Sequence, residues 1–264
     1  MQDLVLRNDT GHVARLTLNA PDRFNVLSLG MIDAVADAFR QIETDDAIRA
    51  VILSAAGKAF CVGHDLRQMQ AARDDDDAGR ASFDILFDRC AGMMQMIPAL
   101  PQPVIAQVQG VATAAGCQLV AACDLALAAK GARFGVNGVD IGLFCSTPMV
   151  ALSRAIAPRA AFEMLVTGDF IDADRACQLG LVNRVVPATD LADQAMQLAQ
   201  QIARKLPQAV RMGKRAFYEQ LGLDLPDAYR SASGAICENL MLPETDEGIA
   251  AFLEKRQPSW AGKD

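Results

Sequence analysis

Residues 102–119 read Gln102-Pro-Val-Ile-Ala-Gln-Val-Gln-Gly-Val-Ala-Thr-Ala-Ala-Gly-Cys-Gln-Leu119, and the reading of this stretch decides the fold. Its first half, residues 104–108, is a short apolar run with the character of a buried strand. Gly110 then marks a turn, and a helix is expected to open near Thr113. Small residues crowd that opening: Ala112, Ala114, Ala115 and Gly116. The first N–H groups of a helix lack intrahelical partners, and the helix dipole makes that end partly positive. With so little side chain around them, these amides can be approached closely by an oxygen atom. The stretch predicts an anion or oxyanion site made of backbone.

Toward the N-terminus, residues 4–6 and 13–18 alternate around Asp9-Thr-Gly11, the pattern of a β-hairpin. Ser28 is the expected cap of a helix whose Met31, Ile32, Val35, Ala38, Phe39 and Ile42 share a face. Residues 50–53 form a buried strand. Residues 60–63 lead to another helix start, where Asp65 and Gln68 have the spacing of a capping box. Four consecutive aspartates, Asp74 to Asp77, predict a solvated, mobile loop over 71–79, because like charges repel and stay in water. A helix over 83–96 is expected to end at Pro98, Pro101 and Pro103.

Toward the C-terminus, short strands at 125–128 and 132–134 precede helices broken at Pro158, Gly168 and Gly180, then a strand at 182–186. Strands alternating with helices define an α/β protein. From Asp190 the pattern is helical alone, over 191–206, 208–220, 226–240 and 245–256. The chain therefore divides into 1–189 and 190–264.

At 264 residues the chain can bury a sizeable core, and its 52% hydrophobic and 22% charged composition is that of a globular protein. A net charge of −7 leaves no basic surface for phosphate backbones, so nucleic acid is not an expected partner. Seven cysteines, odd in number and without a CxxC pair, suggest reduced thiols rather than a disulfide framework or zinc site. The apolar stretch 104–123 contains Gln107, Gln109, Gln118 and two glycines, which fits a soluble core and not a membrane span. The N-terminal residues lack signal-peptide composition, so a soluble cytoplasmic protein is expected. No metal or redox cofactor is expected either: there is no ligand cluster, and residues 57–63 are not a dinucleotide loop.

Residues 103–110, Gly116-Cys-Gln-Leu119 and Cys123-Asp-Leu125 resemble the crotonase (enoyl-CoA hydratase/isomerase) superfamily. So do Asn19-Ala-Pro-Asp-Arg-Phe-Asn-Val-Leu-Ser28, Gly57-Lys-Ala-Phe-Cys-Val-Gly-His-Asp-Leu66, Thr167-Gly168 and Ala251-Phe-Leu-Glu-Lys-Arg256, in family order across essentially the whole chain. The resemblance implies a ClpP-like α/β spiral of ββα repeats over 1–189. It implies a C-terminal helical region, 190–264, that builds a homotrimer or a dimer of trimers. The expected ligand is an acyl-CoA thioester, with no cofactor beyond the coenzyme A of the substrate. Two backbone amides, of His64 and Ala115, would bind the thioester oxygen; they are 51 residues apart. Arg23, Phe24 and Val26, with Asp65, Leu66 and Arg67, would hold coenzyme A, and Phe252 and Lys255 would come from a neighbouring subunit. The 71–79 segment would border the acyl pocket.

The resemblance also exposes a departure. Hydratases of the family use two glutamates, and their positions map to Gln118 and Gly138. A glutamine can donate and accept hydrogen bonds but cannot take or deliver a proton as a base, and a glycine has no side chain. General acid–base groups typically contribute about 10²–10⁴-fold each, so ordinary hydration is expected to be weak or absent. Three substitutes are conceivable. Asp140 lies two positions after Gly138, on the same face if that segment is extended. Cys145 is a nucleophile if its pKa is lowered. The imidazole of His64 titrates near neutrality. Two readings stay open: an acyl-CoA enzyme with non-standard acid–base groups, and an acyl-CoA-binding or regulatory protein without chemistry.

Overall fold

In this computed structural model, which describes residues 3–260, the period-two runs become a six-stranded sheet. Strands β1 (Val5–Thr10) and β2 (Val13–Leu18) form the antiparallel hairpin, turning at Gly11 with φ +55°. Helix α1 (Leu29–Glu43) follows, its Ser28 hydroxyl accepting the Met31 N–H at 3.3 Å. Then come β3 (Ala50–Ala55), β4 (Ala59–Cys61), α2 (Leu66–Ala72) and α3 (Arg80–Ala99). A second round is β5 (Val104–Val108), β6 (Val111–Thr113) and α4 (Ala115–Ala122). A third is β7 (Leu125–Ala129), β8 (Arg133–Gly135), a 3-10 turn over Asn137–Ile141, α5 (Pro148–Ala155) and α6 (Pro158–Thr167). Strand β9 (Ile171–Asp172), α7 (Ala173–Leu179) and β10 (Arg184–Val186) close the core.

Each round sends its two strands to different sheets. The first strands join a sheet of order β1-β2-β3-β5-β7-β10, and the second strands build another, β4-β6-β8-β9. Every strand–strand–helix unit therefore advances one place in both sheets at once, which is the expected spiral of ββα repeats. Side-chain alternation keeps the faces of the large sheet apart. Val51, Leu53, Val104, Ala106 and Ala128 point into the cluster formed with α1, α3 and α4. Ala50, Ile52, Ile105, Leu127 and Ala129 point the other way, onto α8 (Leu191–Ala203). Three alanines of that helix, Ala195, Ala199 and Ala203, recur every fourth residue and let it lie close to the strands.

Residue 190 is thus no packing boundary, since α8, grouped by sequence with the C-terminal helices, covers the sheet. The remaining helices are α9 (Pro207–Gln220), α10 (Leu225–Leu240) and α11 (Pro243–Leu253). Two other expectations change. The segment after Gly110 is the strand β6, paired to both β4 and β8, and the helix opens only at Ala115. Pro98 sits inside the last turn of α3, which runs past the expected stop to Ala99. The acidic run is exposed, yet Asp77 works as a cap, accepting the N–H groups of Gly79 at 3.0 Å and Ala81 at 2.8 Å.

Helix α9 is pinned to the core by a charge. The buried Lys214 ammonium donates to the Ile97 carbonyl (2.8 Å), the Gln102 carbonyl (3.0 Å) and Asp124 Oδ2 (2.7 Å). Asp124 also accepts the Val104 N–H at 2.6 Å and the Tyr218 hydroxyl at 2.7 Å. Burial pushes the Lys214 pKa down and the neighbouring carboxylate opposes that shift. Removing one partner of a buried pair strands the other charge, typically at about 3–5 kcal/mol. Lys214→Ala is expected to lower the urea-unfolding free energy by that order, and adding Asp124→Asn should recover part of the loss.

Candidate active site

Two strand–helix junctions meet side by side. Strands β4 and β6 are parallel neighbours (Ala59 against Val111, Cys61 against Ala112), so the chain leaving one runs beside the chain leaving the other. The approach is backbone on backbone. A Cβ on Gly110 would fall on the Lys58 carbonyl, and one on Gly116 would fall on the Cys61 carbonyl. On Gly63, whose φ of +85° also favours glycine, it would lie 2.9 Å from Ala114 Cβ and 3.1 Å from the Ala115 nitrogen. His64, next after Gly63, and Ala115, the first residue of α4, therefore line one cavity. Neither amide donates a hydrogen bond within the described residues. Ala114 holds φ 50°, ψ −122° between them, with its own N–H bound to the Gly135 carbonyl at 2.9 Å. Such a conformation costs a non-glycine residue of order 1–3 kcal/mol.

The cavity measures about 880 Å³ and follows the order of the smaller sheet. The end of β6, with Thr113 and Ala115, makes its centre. On the β4 side stand Arg23, Phe24, Val26, Asp65, Leu66 and Arg67, and all six expected coenzyme residues of this part line the wall. On the β8 side stand Asn137, Gly138, Ile141, Leu143, Phe144 and Cys145. Arg23 is ion-paired to Asp65, which also accepts the Arg67 N–H at 3.1 Å as the cap of α2. Gln68 does not complete a capping box; its side chain accepts the Leu29 N–H instead, at 3.4 Å. Asn25, fully buried, fastens the 20–26 loop by donating to Ala56 and Ala59 carbonyls and accepting the Ala20 N–H. Phe252 is 82% exposed, and neither it nor Lys255 lines the cavity of its own chain.

The acid–base candidates are placed less favourably. The His64 Nδ1 lies 3.3 Å from the Leu27 carbonyl, which can only accept, so Nδ1 carries the proton. Its Nε2 is sealed from solvent without a partner, and the ring meets Phe87 edge-on at 5.3 Å between centroids. Burial lowers the imidazole pKa below 6.5 and keeps it neutral. Gln118 is buried one turn into α4, its Oε1 without a partner, and does not line the cavity. Asp140 is not on the face of Gly138: the segment is a 3-10 turn, in which residues two apart diverge, and its Oδ1 stands beside Gly168. Cys145 lines the cavity, but burial raises its thiol pKa, the opposite of the lowering that a thiolate nucleophile needs. Burial likewise pushes Cys61 and Cys117 up to about 12. Among the described residues no group of three His, Cys, Asp or Glu side chains could hold a metal ion, and no helix is long and apolar enough to cross a membrane.

Two unpaired backbone amides, from adjacent strand–helix junctions of an α/β spiral, thus border one cavity. The sequence matches the enoyl-CoA hydratase/isomerase family over residues 8–263. It is 42% identical to the rat protein named enoyl-CoA hydratase domain-containing protein 3, mitochondrial, over 250 residues, covering 94% of this chain and 81% of the relative. The crystal structure of an enoyl-CoA hydratase from Mycobacterium smegmatis superposes with a TM-score of 0.94 at 50% identity, covering 98% of this chain and 99% of that one. Human enoyl-CoA hydratase domain-containing protein 3 gives 0.92 at 40% identity, covering 97% and 100%. The chain belongs to the crotonase, or enoyl-CoA hydratase/isomerase, family.

Gly138 carries a constraint that the sequence did not reveal. A Cβ there would lie 2.5 Å from the Leu143 carbonyl oxygen and 2.9 Å from Cys145 Sγ, so any side chain must displace the 143–145 wall. Overpacking of this kind typically costs about 1–3 kcal/mol. Gly138→Ala is expected to lose that much in thermal or urea unfolding, and an unchanged midpoint would show that the wall yields freely.

Proposed function

We propose that this crotonase-family chain binds an acyl-CoA thioester, polarises its carbonyl with the His64 and Ala115 amides, and adds water to enoyl-CoA weakly or not at all. The observation that carries the reading is the contact of Gly63 with the Ala115 nitrogen, which sets two unpaired amides on one cavity wall. One such donor is typically worth about 2.7–4 kcal/mol where negative charge develops on the oxygen. Arg23, Phe24, Val26, Asp65, Leu66 and Arg67 supply charge and apolar surface suited to a nucleotide thioester. Water addition needs proton transfer as well, and Gln118 and Gly138 offer none. An acyl-CoA-binding or regulatory role without chemistry is the second reading. The two substituted positions favour it, and the two aimed amides, which mere binding does not require, weigh against it.

The same reading has the protein act as a homotrimer or dimer of trimers. Leu225, Tyr229, Ile236 and Leu240 of α10, with Phe252 and Leu253 of α11, are exposed apolar side chains that a neighbour would cover. Phe252 and Lys255 would then serve the neighbouring cavity. Light scattering after gel filtration should give three or six chain masses; a single chain mass would overturn this assembly. All seven cysteines are free, which suits a reducing compartment such as the cytoplasm, although the vertebrate relatives carry the word mitochondrial in their names.

Crotonyl-CoA hydration by the wild type and by Gln118→Glu, with butyryl-CoA binding followed in parallel, tests the chemistry. The wild type should bind and turn over slowly, and a rise of about 10²-fold in Gln118→Glu, the lower end for a general acid–base group, would show that a carboxylate at this buried position reaches the substrate. A wild type as fast as the variant would refute the idea that position 118 limits hydration. Failure to bind butyryl-CoA would remove both readings.

A further inference from the structure

The β8 side of the cavity is apolar at Ile141, Leu143 and Phe144, with one polar pair set beside it. Thr113, buried at the end of β6, donates its hydroxyl to Asn137 Oδ1 at 2.6 Å, and both residues line the cavity. The pair is held by the backbone. Thr113 is in register with Gly135 across the parallel β6–β8 pairing, and the next N–H, of Ala114, binds the Gly135 carbonyl. With Oδ1 engaged, the Asn137 carboxamide turns its other branch, the Nδ2 amine with two N–H donors, away from Thr113. No acceptor for Nδ2 is present among the described residues. Thr113 is two residues before Ala115, so this donor stands close to the oxyanion amides, and it stands across β6 from Arg23 and Arg67.

We infer that the Asn137 carboxamide, oriented by Thr113, is a specificity-determining donor that selects acyl thioesters carrying an oxygen on the acyl chain, a hydroxyl or a carbonyl, over unsubstituted ones. The inference rests on the thioester-binding reading above. A thioester whose phosphates lie toward the arginines and whose carbonyl meets the His64 and Ala115 amides extends its acyl chain to the Asn137 side. A plain chain there excludes water from Nδ2 and gives no acceptor in return, which leaves a polar group unpaired. An oxygen on the chain takes that hydrogen bond. Sites built to bond a substrate oxygen discriminate strongly against analogues that lack it.

The test is calorimetric binding of butyryl-CoA, 3-hydroxybutyryl-CoA and acetoacetyl-CoA to the full-length wild type, Asn137→Leu and Thr113→Val. The wild type should bind both oxygenated compounds at least about tenfold tighter than butyryl-CoA, as a hydrogen bond inside a partly apolar site warrants. Asn137→Leu should bring all three within about twofold, with butyryl-CoA binding tighter than in the wild type and the oxygenated compounds weaker, and Thr113→Val should narrow the gap by releasing the carboxamide. Equal wild-type affinities would overturn the inference even if no variant folded, as would a preference that survives Asn137→Leu. Acetoacetyl-CoA can only accept at its 3-position, so a preference for the hydroxyl compound alone would overturn the donor assignment. If butyryl-CoA and the oxygenated compounds all fail to bind, the thioester reading itself falls. If butyryl-CoA binds and the ratios are flat, that reading stands and only the specificity is lost.

Discussion

The structure depends on how closely residues 58–64 can approach residues 110–116. Two carbonyls, of Lys58 and Cys61, sit where Cβ atoms of Gly110 and Gly116 would be, and Gly63 returns the contact from the other chain segment. No side chain mediates this approach, so hydrophobic burial cannot loosen or adjust it, and only glycine at these three positions permits it. Because β4 and β6 are parallel, both helices that follow begin at the same end of the small sheet. The unpaired His64 and Ala115 amides therefore border one cavity, and the positive end of the α4 dipole adds to the N–H group there. The strain at Ala114 is borne by the same packing, since a residue at φ 50° must be over-determined by its neighbours to persist.

The far end of α4 is fixed by a different kind of force. Asp124 lies just beyond α4, and its one carboxylate receives the first N–H of β5, the ammonium of Lys214 and the hydroxyl of Tyr218. A buried ion pair is weak support for stability when desolvation is counted, but here all of the lysine N–H groups and both carboxylate oxygens are used. What the pair adds is a connection between the start of a central strand, the end of α4 and a C-terminal helix. With glycines at one end and this carboxylate at the other, α4 has little freedom to tilt, and a site made of backbone amides needs that rigidity. Helix α8 completes the frame from the opposite side of the large sheet.

Much of the frame was legible because its signals are local. The hairpin, the Ser28-capped helix and the runs at 50–53 and 104–108 follow from periodicity and capping within a few residues. Strand β6 was not legible: three residues among small side chains looked like a helix start, and their extended form comes from pairing with β4 and β8, distant in sequence. The 3-10 turn over Asn137–Ile141 turned Asp140 away from the side on which it was expected. Periodicity marked the helix after Asp190 but not the sheet it covers. Nothing local marks Lys214, Thr113 or Asn137; only the fold brings each to its partner. The meeting of His64 and Ala115 came from resemblance alone.

Gln118 and Gly138, the two positions where the family resemblance implies glutamate, are physically unlike each other. Gln118 keeps the shape of the acid without its proton chemistry, and its buried Oε1 has no partner, a condition that typically costs about 1–3 kcal/mol. Gly138 has no space for a side chain. Had a side chain simply been lost there, a void of its size would remain beside the cavity; instead the Leu143 carbonyl and the Cys145 thiol occupy the space. The segment that fills it also carries Phe144, which walls the cavity, and the residue just before Gly138 presents a carboxamide braced by Thr113. With Asn137 braced beside it and the His64 and Ala115 amides unpaired, the cavity wall at Gly138 is closely packed rather than hollow.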